Sequence, residues 1–258
     1  AYATVLSQFM ALIWQFWIFS NPKELIHLKR GIYSLRGDLM KNIIGIGISP
    51  FSMNVCACMV VIFINNQLVR FGGDMSVGAF GIANRIVFIF VMFVMGINQG
   101  MQPIAGYNYG AQKLDRMMQV VKLSIIAATV IMIFGWFLAM LAPRQCVSLF
   151  TTDQHLIDTT VHGMRRMMLM LPIVGYQMVI TNFFQCIGKV KISIFLSLSR
   201  QLLFLLPLLY VFPLQFGVNG VWYAMPTSDF IAATVAGVIM VLYMRKFKQQ
   251  IKQSIHEN

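Results

Sequence analysis

The sequence is short of charge. Asp, Glu, Lys and Arg make up only 11% of its 258 residues, and eight acidic residues face 20 basic ones. Soluble globular domains carry about 25% charged residues, so this composition excludes an ordinary soluble domain. The net charge of +12 does not indicate nucleic-acid binding, because no nucleic-acid motif is present and the aromatic residues lie within apolar runs.

Cysteine and histidine are also scarce, with four residues each. The cysteines form no Cys-x-x-Cys pair, and Cys56 and Cys58 lie in an apolar run, which is typical of packing residues rather than of a disulfide or metal site. The histidines are scattered, so we predict no metal site. No nucleophile–base pair is visible, and we therefore expect neither an enzyme nor a cofactor.

Long apolar runs dominate instead: 58% of the residues are hydrophobic and the mean hydropathy is +0.73. A helix that crosses a bilayer needs about 20 apolar residues. We therefore predict an all-α integral membrane protein with six full transmembrane helices behind a partial leading one. The windows are residues 1–20, 42–67, 77–105, 118–142, 161–186, 192–213 and 218–243.

The basic residues fall mainly on one side of these spans when the turns are followed alternately. That side holds the linker 21–41, the turn after residue 105 and the C-terminus, and the positive-inside rule makes it cytoplasmic. We expect residues 21–41 to be a cytoplasmic linker and 244–258 a basic cytoplasmic tail of a multi-pass protein in the bacterial plasma (inner) membrane. The only basic residues on the other side are Arg70, Arg85, Arg144, Arg165 and Arg166.

The start of the chain resembles its last span. Residues 1–11 (AYATVLSQFMA) share five identities with residues 222–232 (WYAMPTSDFIA), although chance similarity is an alternative in so biased a composition. Repeats of six helices have the same orientation in the membrane. We interpret residues 1–20 as the tail of the last helix of a missing first lobe, and residues 42–243 as the second lobe of a twelve-helix, two-lobed transporter.

An unusual stretch, GINQGMQPIAGYNYGAQ, lies at the end of the third window; we call residues 96–112 the signature segment. Its glycines form two GxxxG pairs, Gly96–Gly100 and Gly106–Gly110, which would allow close helix packing. Pro103 predicts a helix break, hence a helix end packed at the cytoplasmic mouth of a cavity. An ordinary helix stop is the alternative. The amides that could satisfy freed backbone groups are Asn98, Gln99 and Gln102.

The signature segment resembles the signature of the multidrug and toxic compound extrusion (MATE) family, in which such a run ends the eighth helix. Four further stretches resemble the family and occur in the order expected for it. They are IGISPF before the signature segment, and FFQCIGK, SRQLLFLLP and GVWYAMPTSD after it. The resemblance implies a two-lobed efflux protein that exchanges cationic amphipathic compounds for Na⁺ or H⁺. The matching residues are Gln99, Gly100, Gln102, Pro103, Gly106, Asn108, Gly110 and Ala111.

The family pattern fails at its ion site. In some members Na⁺ is associated with a Glu in the seventh helix and an Asp in the tenth, but the corresponding spans here contain no acidic residue. Neutral amides are weak cation ligands without a carboxylate, so a Na⁺ site of that type is not expected. Other members couple through an Asp in the first helix, which this sequence does not include. The polar candidates are Asn54, Asn65, Asn66, Gln177, Asn182 and Gln185.

Asp229 is the only acidic residue deep within a full span. Carboxylates inside membranes are costly, so each is a functional candidate. At about 1.5 Å per residue, Asp229 and Arg200 reach similar depths on consecutive antiparallel helices, and we predict that they pair. The alternative is that Arg200 extends to the lipid headgroups while Asp229 bonds Ser228 or a backbone group.

Three functions stay open at this point. A cationic-drug antiporter, with small-molecule drugs or organic cations and the lipid bilayer as partners, suits spans rich in Met, Phe and Tyr. A flippase for lipid-linked sugars would need a cavity lined by positive charge, of which the spans offer little beyond Arg200. A receptor or scaffold without transport is the third possibility, and prolines within the spans argue against a passive bundle.

Overall fold

The computed structural model describes residues 2–21 and 37–256, with side chains chiefly over 2–21 and 54–245. Most of the predicted linker 21–41 and the side chains of the predicted basic tail lie outside the described residues. The chain divides into two compact units, residues 1–50 and 51–258. The first contains helix α1 (Tyr2–Phe19), the predicted leading span, which has no buried residue.

The second unit is a helical bundle, and no strand occurs in the described ranges. Several elements that are continuous spans by sequence are divided by short 3₁₀ and π turns. The helices are α2 (Gly37–Gly110, which starts in the first unit), α3 (Leu114–Leu141), α4 (Pro143–Ser148), α5 (Gln154–Met167), α6 (Leu171–Cys186), α7 (Val190–Leu198), α8 (Leu206–Phe216) and α9 (Val218–His256).

Within the described residues, six helical stretches are long and apolar enough to cross a membrane. The stretch 54–110 contains the predicted span 77–105 and residues 54–67 of the predicted span 42–67. Helix α2 is interrupted between them at Gly73, whose φ of 69° and ψ of −176° are not helical. Glycine adopts a positive φ without the steric cost that a Cβ brings, so the single residue Gly73 can break the helix between its two arms. Ile64 precedes this break and Asn84 follows it, and both line one cavity, so the two arms of α2 lie side by side.

The contacts between helix ends agree with the alternation used to assign the two sides. A Cβ added to Gly78, just after the break in α2, would lie 3.5 Å from Leu156 at the start of α5. At the other end of the bundle, a Cβ on Gly106 would lie 3.6 Å from the carbonyl oxygen of Cys186. The break in α2 and the start of α5 therefore share one end, and the ends of α2 and α6 share the other.

Helix α6 lies at the centre of the bundle. Gly175 brings it so close to α3 that an added Cβ would lie 2.9 Å from the carbonyl oxygen of Ala128. On the next face, the Tyr176 hydroxyl donates a 2.7 Å hydrogen bond to the carbonyl of Ala233 in α9. Small residues and interhelical hydrogen bonds are the usual means of packing helices within a membrane. Phe183 and Phe184 complete this core with no exposed surface.

The signature segment differs from expectation at its proline. Pro103 lies inside α2, which continues to Gly110, and the break at Gly73 is the interruption found within this helix. A proline removes one backbone donor but has a φ that suits a helix, so a single ring need not end one. Helix α2 ends instead at Gly110, and Gln112, with a φ of 56°, lies in the turn that follows. Bonds from Lys113 to Asn108 and from Gln112 to Tyr109 close the end in a Schellman pattern.

The two GxxxG pairs also differ from expectation. In the described part of the chain, a Cβ added to Gly96, Gly100 or Gly110 would meet no atom within 4 Å. Only Gly106 of the four approaches another helix. Within the described residues, the predicted close packing therefore finds no partner at Gly96, Gly100 and Gly110. Close approaches occur instead at glycines outside any such pair, including Gly175.

Candidate functional site

A cavity of about 360 Å³ lies between the two arms of α2, helix α6, helix α9 and the π-helical turn that precedes α8. Most of its walls are Val, Ile, Leu, Met and Phe side chains. A volume of this size lies at the lower end of the range for small-molecule sites, about 300–1,000 Å³. The polar residues of its lining are Asn84, Arg200, Gln201, Ser228 and Asp229.

Arg200 and Asp229 meet in this cavity, which confirms the predicted pair. The guanidinium Nη1 lies 3.2 Å from the carboxylate Oδ1. The side chains are 35% and 19% exposed, so both reach the cavity and neither is sealed in the core. Ser228 bonds elsewhere, donating to the carbonyl of Met225 at 3.0 Å. The alternative in which Arg200 extends to the headgroups is not the arrangement observed.

The pair is held loosely for an ion pair in apolar surroundings. Charge-assisted N–H···O bonds are commonly about 2.7–2.9 Å long, and arginine often binds a carboxylate through two such bonds. Here a single contact of 3.2 Å joins Arg200 to Asp229. One carboxylate oxygen can therefore accept a cation or donor from a ligand without prior movement of the pair.

A π-helical turn over Ser199–Leu205 carries Arg200. The N–H of Leu206 bonds the carbonyl of Gln201, five residues back, instead of following the α-helical pattern. Pro207 has no N–H to donate, and membrane helices commonly re-satisfy freed carbonyls by such local adjustments. The Ser199 hydroxyl also bonds the carbonyl of Phe195 at 2.5 Å. Such π turns frequently occur at functional sites.

The other predicted pathway residues lie outside the cavity lining. Gln177 is 4% exposed, and its Oε1 has no hydrogen-bond partner within the described structure. Asn182 joins the signature segment to α6, since Gln102 Nε2 donates to its Oδ1 at 2.9 Å. The remaining candidates are on the surface of the described chain: Asn54, Gln99 and Gln185.

The sequence reasoning missed two polar lining residues, Asn84 and Gln201, and considered Ser228 only as a bonding partner of Asp229. Gln201 had a usable signal, because it follows Arg200 and precedes Pro207 in SRQLLFLLP. Asn84 had none, since it lies in a window whose register relative to the neighbouring helices is not readable from composition. Such side chains become recognisable only once the packing of the arms of α2 is known.

The described residues hold no group of three His, Cys, Asp or Glu side chains suited to a metal ion. Burial raises the pKa of the Cys146 thiol in α4, outside the spans. A protonated thiol is a poor nucleophile and metal ligand, so Cys146 has the character of a packing residue.

Comparison with known proteins decides the family. The MatE family model matches residues 48–211. This chain belongs to the MatE family. It is 23% identical over 242 residues to the multidrug export protein MepA of Staphylococcus aureus strain MSSA476, covering 94% of this chain and 53% of MepA. MepA of Staphylococcus haemolyticus strain JCSC1435 is 24% identical over 240 residues, with 93% and 52% covered.

The fold is shared with solved structures of the same family. A MATE protein crystallised in complex with MaL6 superposes with a TM-score of 0.82 at 22% identity, covering 96% of this chain and 56% of that one. The predictions of a MATE family member and of an all-helical membrane fold are confirmed. This chain spans about half the length of the relatives it matches. The MepA proteins are named as multidrug export proteins, and another solved structure of this fold is named as a multidrug resistance MATE family transporter; neither is named as an enzyme.

Proposed function

We propose that this chain is one lobe of a membrane exporter that exchanges cationic, amphipathic compounds for H⁺ or Na⁺ by alternating access. The observation that carries the proposal is the cavity in which an apolar wall surrounds the Asp229 carboxylate. Its four methionines have flexible side chains that adapt to differently shaped ligands: Met95, Met167, Met178 and Met225. Phe80 and Phe88 add ring faces that attract cations.

The ion pair supplies a route to exchange. A cation that approaches Asp229 competes with Arg200 for the carboxylate, and so do H⁺ and Na⁺. A carboxylate left unpaired in apolar surroundings is costly, so the site favours having one of these partners bound at all times. If the two access states differ in their affinity for each partner, binding of one shifts the population between them. Drug and ion would then leave on opposite sides.

A lipid-linked sugar flippase is less well supported. A pyrophosphate group would need several positive charges, whereas Arg200 is the one cationic residue in the lining of the described cavity. That charge is already compensated by Asp229. A receptor or scaffold would have no use for an open cavity containing an exchangeable ion pair. The same features that favour a cation exporter therefore disfavour both alternatives.

Transport tests the proposal. Residues 1–258 and a form extended by an N-terminal six-helix lobe are expressed in a drug-hypersensitive bacterial strain, with membrane insertion confirmed for both. We expect ethidium efflux and resistance from the extended form only, because one lobe provides one wall of a cleft whose access alternates. Equal resistance from residues 1–258 alone would contradict the two-lobed mechanism. Efflux that does not respond to a Na⁺ or H⁺ gradient would contradict ion exchange.

A further inference from the structure

Gln201 is a polar residue of the cavity that the ion pair leaves unexplained. It lines the cavity beside Arg200, yet its side-chain Oε1 is buried and has no hydrogen-bond partner in the described part of the chain. A buried acceptor without a partner costs free energy, and such a group in a native structure calls for a specific reason. A ligand that supplies the missing donor is one such reason.

The backbone positions this amide together with the ion pair. Gln201 is the third residue of the π-helical turn Ser199–Leu205, and its own carbonyl accepts the bond from Leu206 that defines the turn. Arg200, Gln201 and Leu205 all line the cavity as a result. The terminal amide torsion of glutamine is broad, so rotation can turn Oε1 towards a ligand without rearranging the helix.

We propose that Gln201 is a specificity-determining residue that selects cations bearing N–H groups. Its amide oxygen accepts a hydrogen bond from a protonated amine, amidine or iminium nitrogen whose charge is held by Asp229. The inference rests on the proposed function, since it assumes that cations enter the cavity. It goes beyond that function by naming the class of cation that is preferred.

Hydrogen-bonding capacity separates this class from quaternary cations. A fully alkylated nitrogen interacts with Asp229 through charge alone and leaves Oε1 of Gln201 unpaired. A cation with N–H groups satisfies both acceptors. Sites built to hydrogen-bond a ligand discriminate strongly against analogues that lack the donor, because the protein group is then left buried and unpaired. Removing the acceptor should therefore abolish the preference without abolishing binding.

Two fluorescent cations with one xanthylium skeleton make the test. Rhodamine 123 carries hydrogens on both nitrogens, whereas tetramethylrhodamine methyl ester has the same nitrogens fully methylated. Equilibrium binding of each dye to residues 1–258 in lipid nanodiscs is measured by fluorescence polarisation. In Gln201→Leu we expect the affinity for rhodamine 123 to fall about tenfold, the value of one charge-assisted hydrogen bond. The affinity for the methylated dye should change less than about twofold, since it makes no such bond.

Matched variants guard against a general loss of folding. Gln67→Leu removes another buried glutamine whose Oε1 has no partner within the described residues and which does not line the cavity. Both dyes should bind this control as they bind the wild type. Gln201→Met keeps the length of the side chain without its acceptor and should reproduce Gln201→Leu. Gln201→Glu keeps an acceptor and should retain binding of rhodamine 123.

The outcomes are distinguishable. An unchanged ratio of the two affinities in Gln201→Leu and Gln201→Met overturns the inference while leaving cation binding intact. An equal fall for both dyes also overturns it, because the residue would then support the cavity in general. If the wild type binds neither dye, the proposed cation site itself fails, and the inference fails with it.

Discussion

The signature segment and the cavity differ in what their polar residues do. In the signature segment, Gln102 bonds Asn182 at 2.9 Å and Asn108 donates to the carbonyl of Ile104 at 2.8 Å. In the cavity, Arg200 and Asp229 share one long contact, and Gln201 has an acceptor without a partner in the described structure. Satisfied polar groups hold helices in place. Groups with spare bonding capacity can bind something else.

One residue of the signature segment departs from this contrast. Asn98 is 2% exposed, and neither atom of its amide has a partner among the described residues. It follows Met95, the last residue of this arm that lines the cavity. The signature segment is thus mostly structural, whereas the polar residues with spare bonding capacity lie in two other family-like stretches, SRQLLFLLP and GVWYAMPTSD.

The first test gives an all-or-none result and concerns the side of the membrane on which the signature segment ends. Single cysteines at Asp74, Asp153, Lys113 and Lys248, in a Cys-less background, are probed with an impermeant maleimide. We expect labelling from outside at the two aspartate positions only, because basic residues collect on the cytoplasmic side. External labelling of the Lys113 position would place the signature segment at the wrong face.

The largest graded effect should come from breaking the ion pair. Arg200→Ala leaves a carboxylate uncompensated in apolar surroundings, and we expect a stability loss of up to about 3 kcal/mol, the lower end for buried pairs. The matched control is Arg144→Ala, whose pair with Asp158 is exposed and should cost less than about 1 kcal/mol. Unfolding in detergent, followed by tryptophan fluorescence, measures both.

A double variant separates a structural pair from a functional one. Arg200→Met combined with Asp229→Leu replaces both charges by apolar groups, which often restores stability. We expect expression to recover and drug–ion coupling in the two-lobed form to stay lost. Equal costs for Arg200→Ala and Arg144→Ala, or a double variant that still couples, would remove the pair from the mechanism.

Glycine substitutions sharpen the same contrast at an intermediate scale. Gly175→Ala forces a methyl group to 2.9 Å from the Ala128 carbonyl, and neither backbone can easily move. We expect a loss of about 1–3 kcal/mol. In Gly100→Ala the added methyl group would have no described atom within 4 Å. We therefore expect the stability to change by less than about 0.5 kcal/mol. Thermal unfolding of both variants measures the two losses. A larger loss in Gly100→Ala than in Gly175→Ala would indicate that the GxxxG pair does pack against a helix.

The smallest expected effect is at the end of the signature segment. Gln112 adopts a φ of 56°, which is unfavourable for a residue with a Cβ. Gln112→Gly should therefore raise stability, by up to about 1 kcal/mol after the entropy of the unfolded chain is counted. Gly188→Ala, at a φ of 76°, should lower it. Denaturant titration of the two variants checks the signs, and a loss in Gln112→Gly would refute the assigned helix end.

Much of the fold was predictable from the sequence, because apolar runs of membrane length have few alternatives. The same depth argument correctly paired Arg200 with Asp229. The helix break predicted at Pro103 was wrong. A proline removes one backbone hydrogen bond, and whether the helix tolerates that loss depends on neighbouring groups that a sequence does not show. The GxxxG spacing predicts a face of small residues but does not show which helix packs against it. The amides of α6 stay a prediction, since the period of a helix alone does not tell a cavity face from a packed one.

The most direct test of the central claim is equilibrium binding of tetraphenylphosphonium to residues 1–258 in nanodiscs, measured by calorimetry. If the Asp229 carboxylate attracts cations into the cavity, Asp229→Asn should weaken binding at least about tenfold. Arg200→Met should strengthen it, because the competing cation is removed. Asp74→Asn, the same change at an exposed turn outside the cavity, should have no effect. Wild-type affinity in Asp229→Asn would contradict the account.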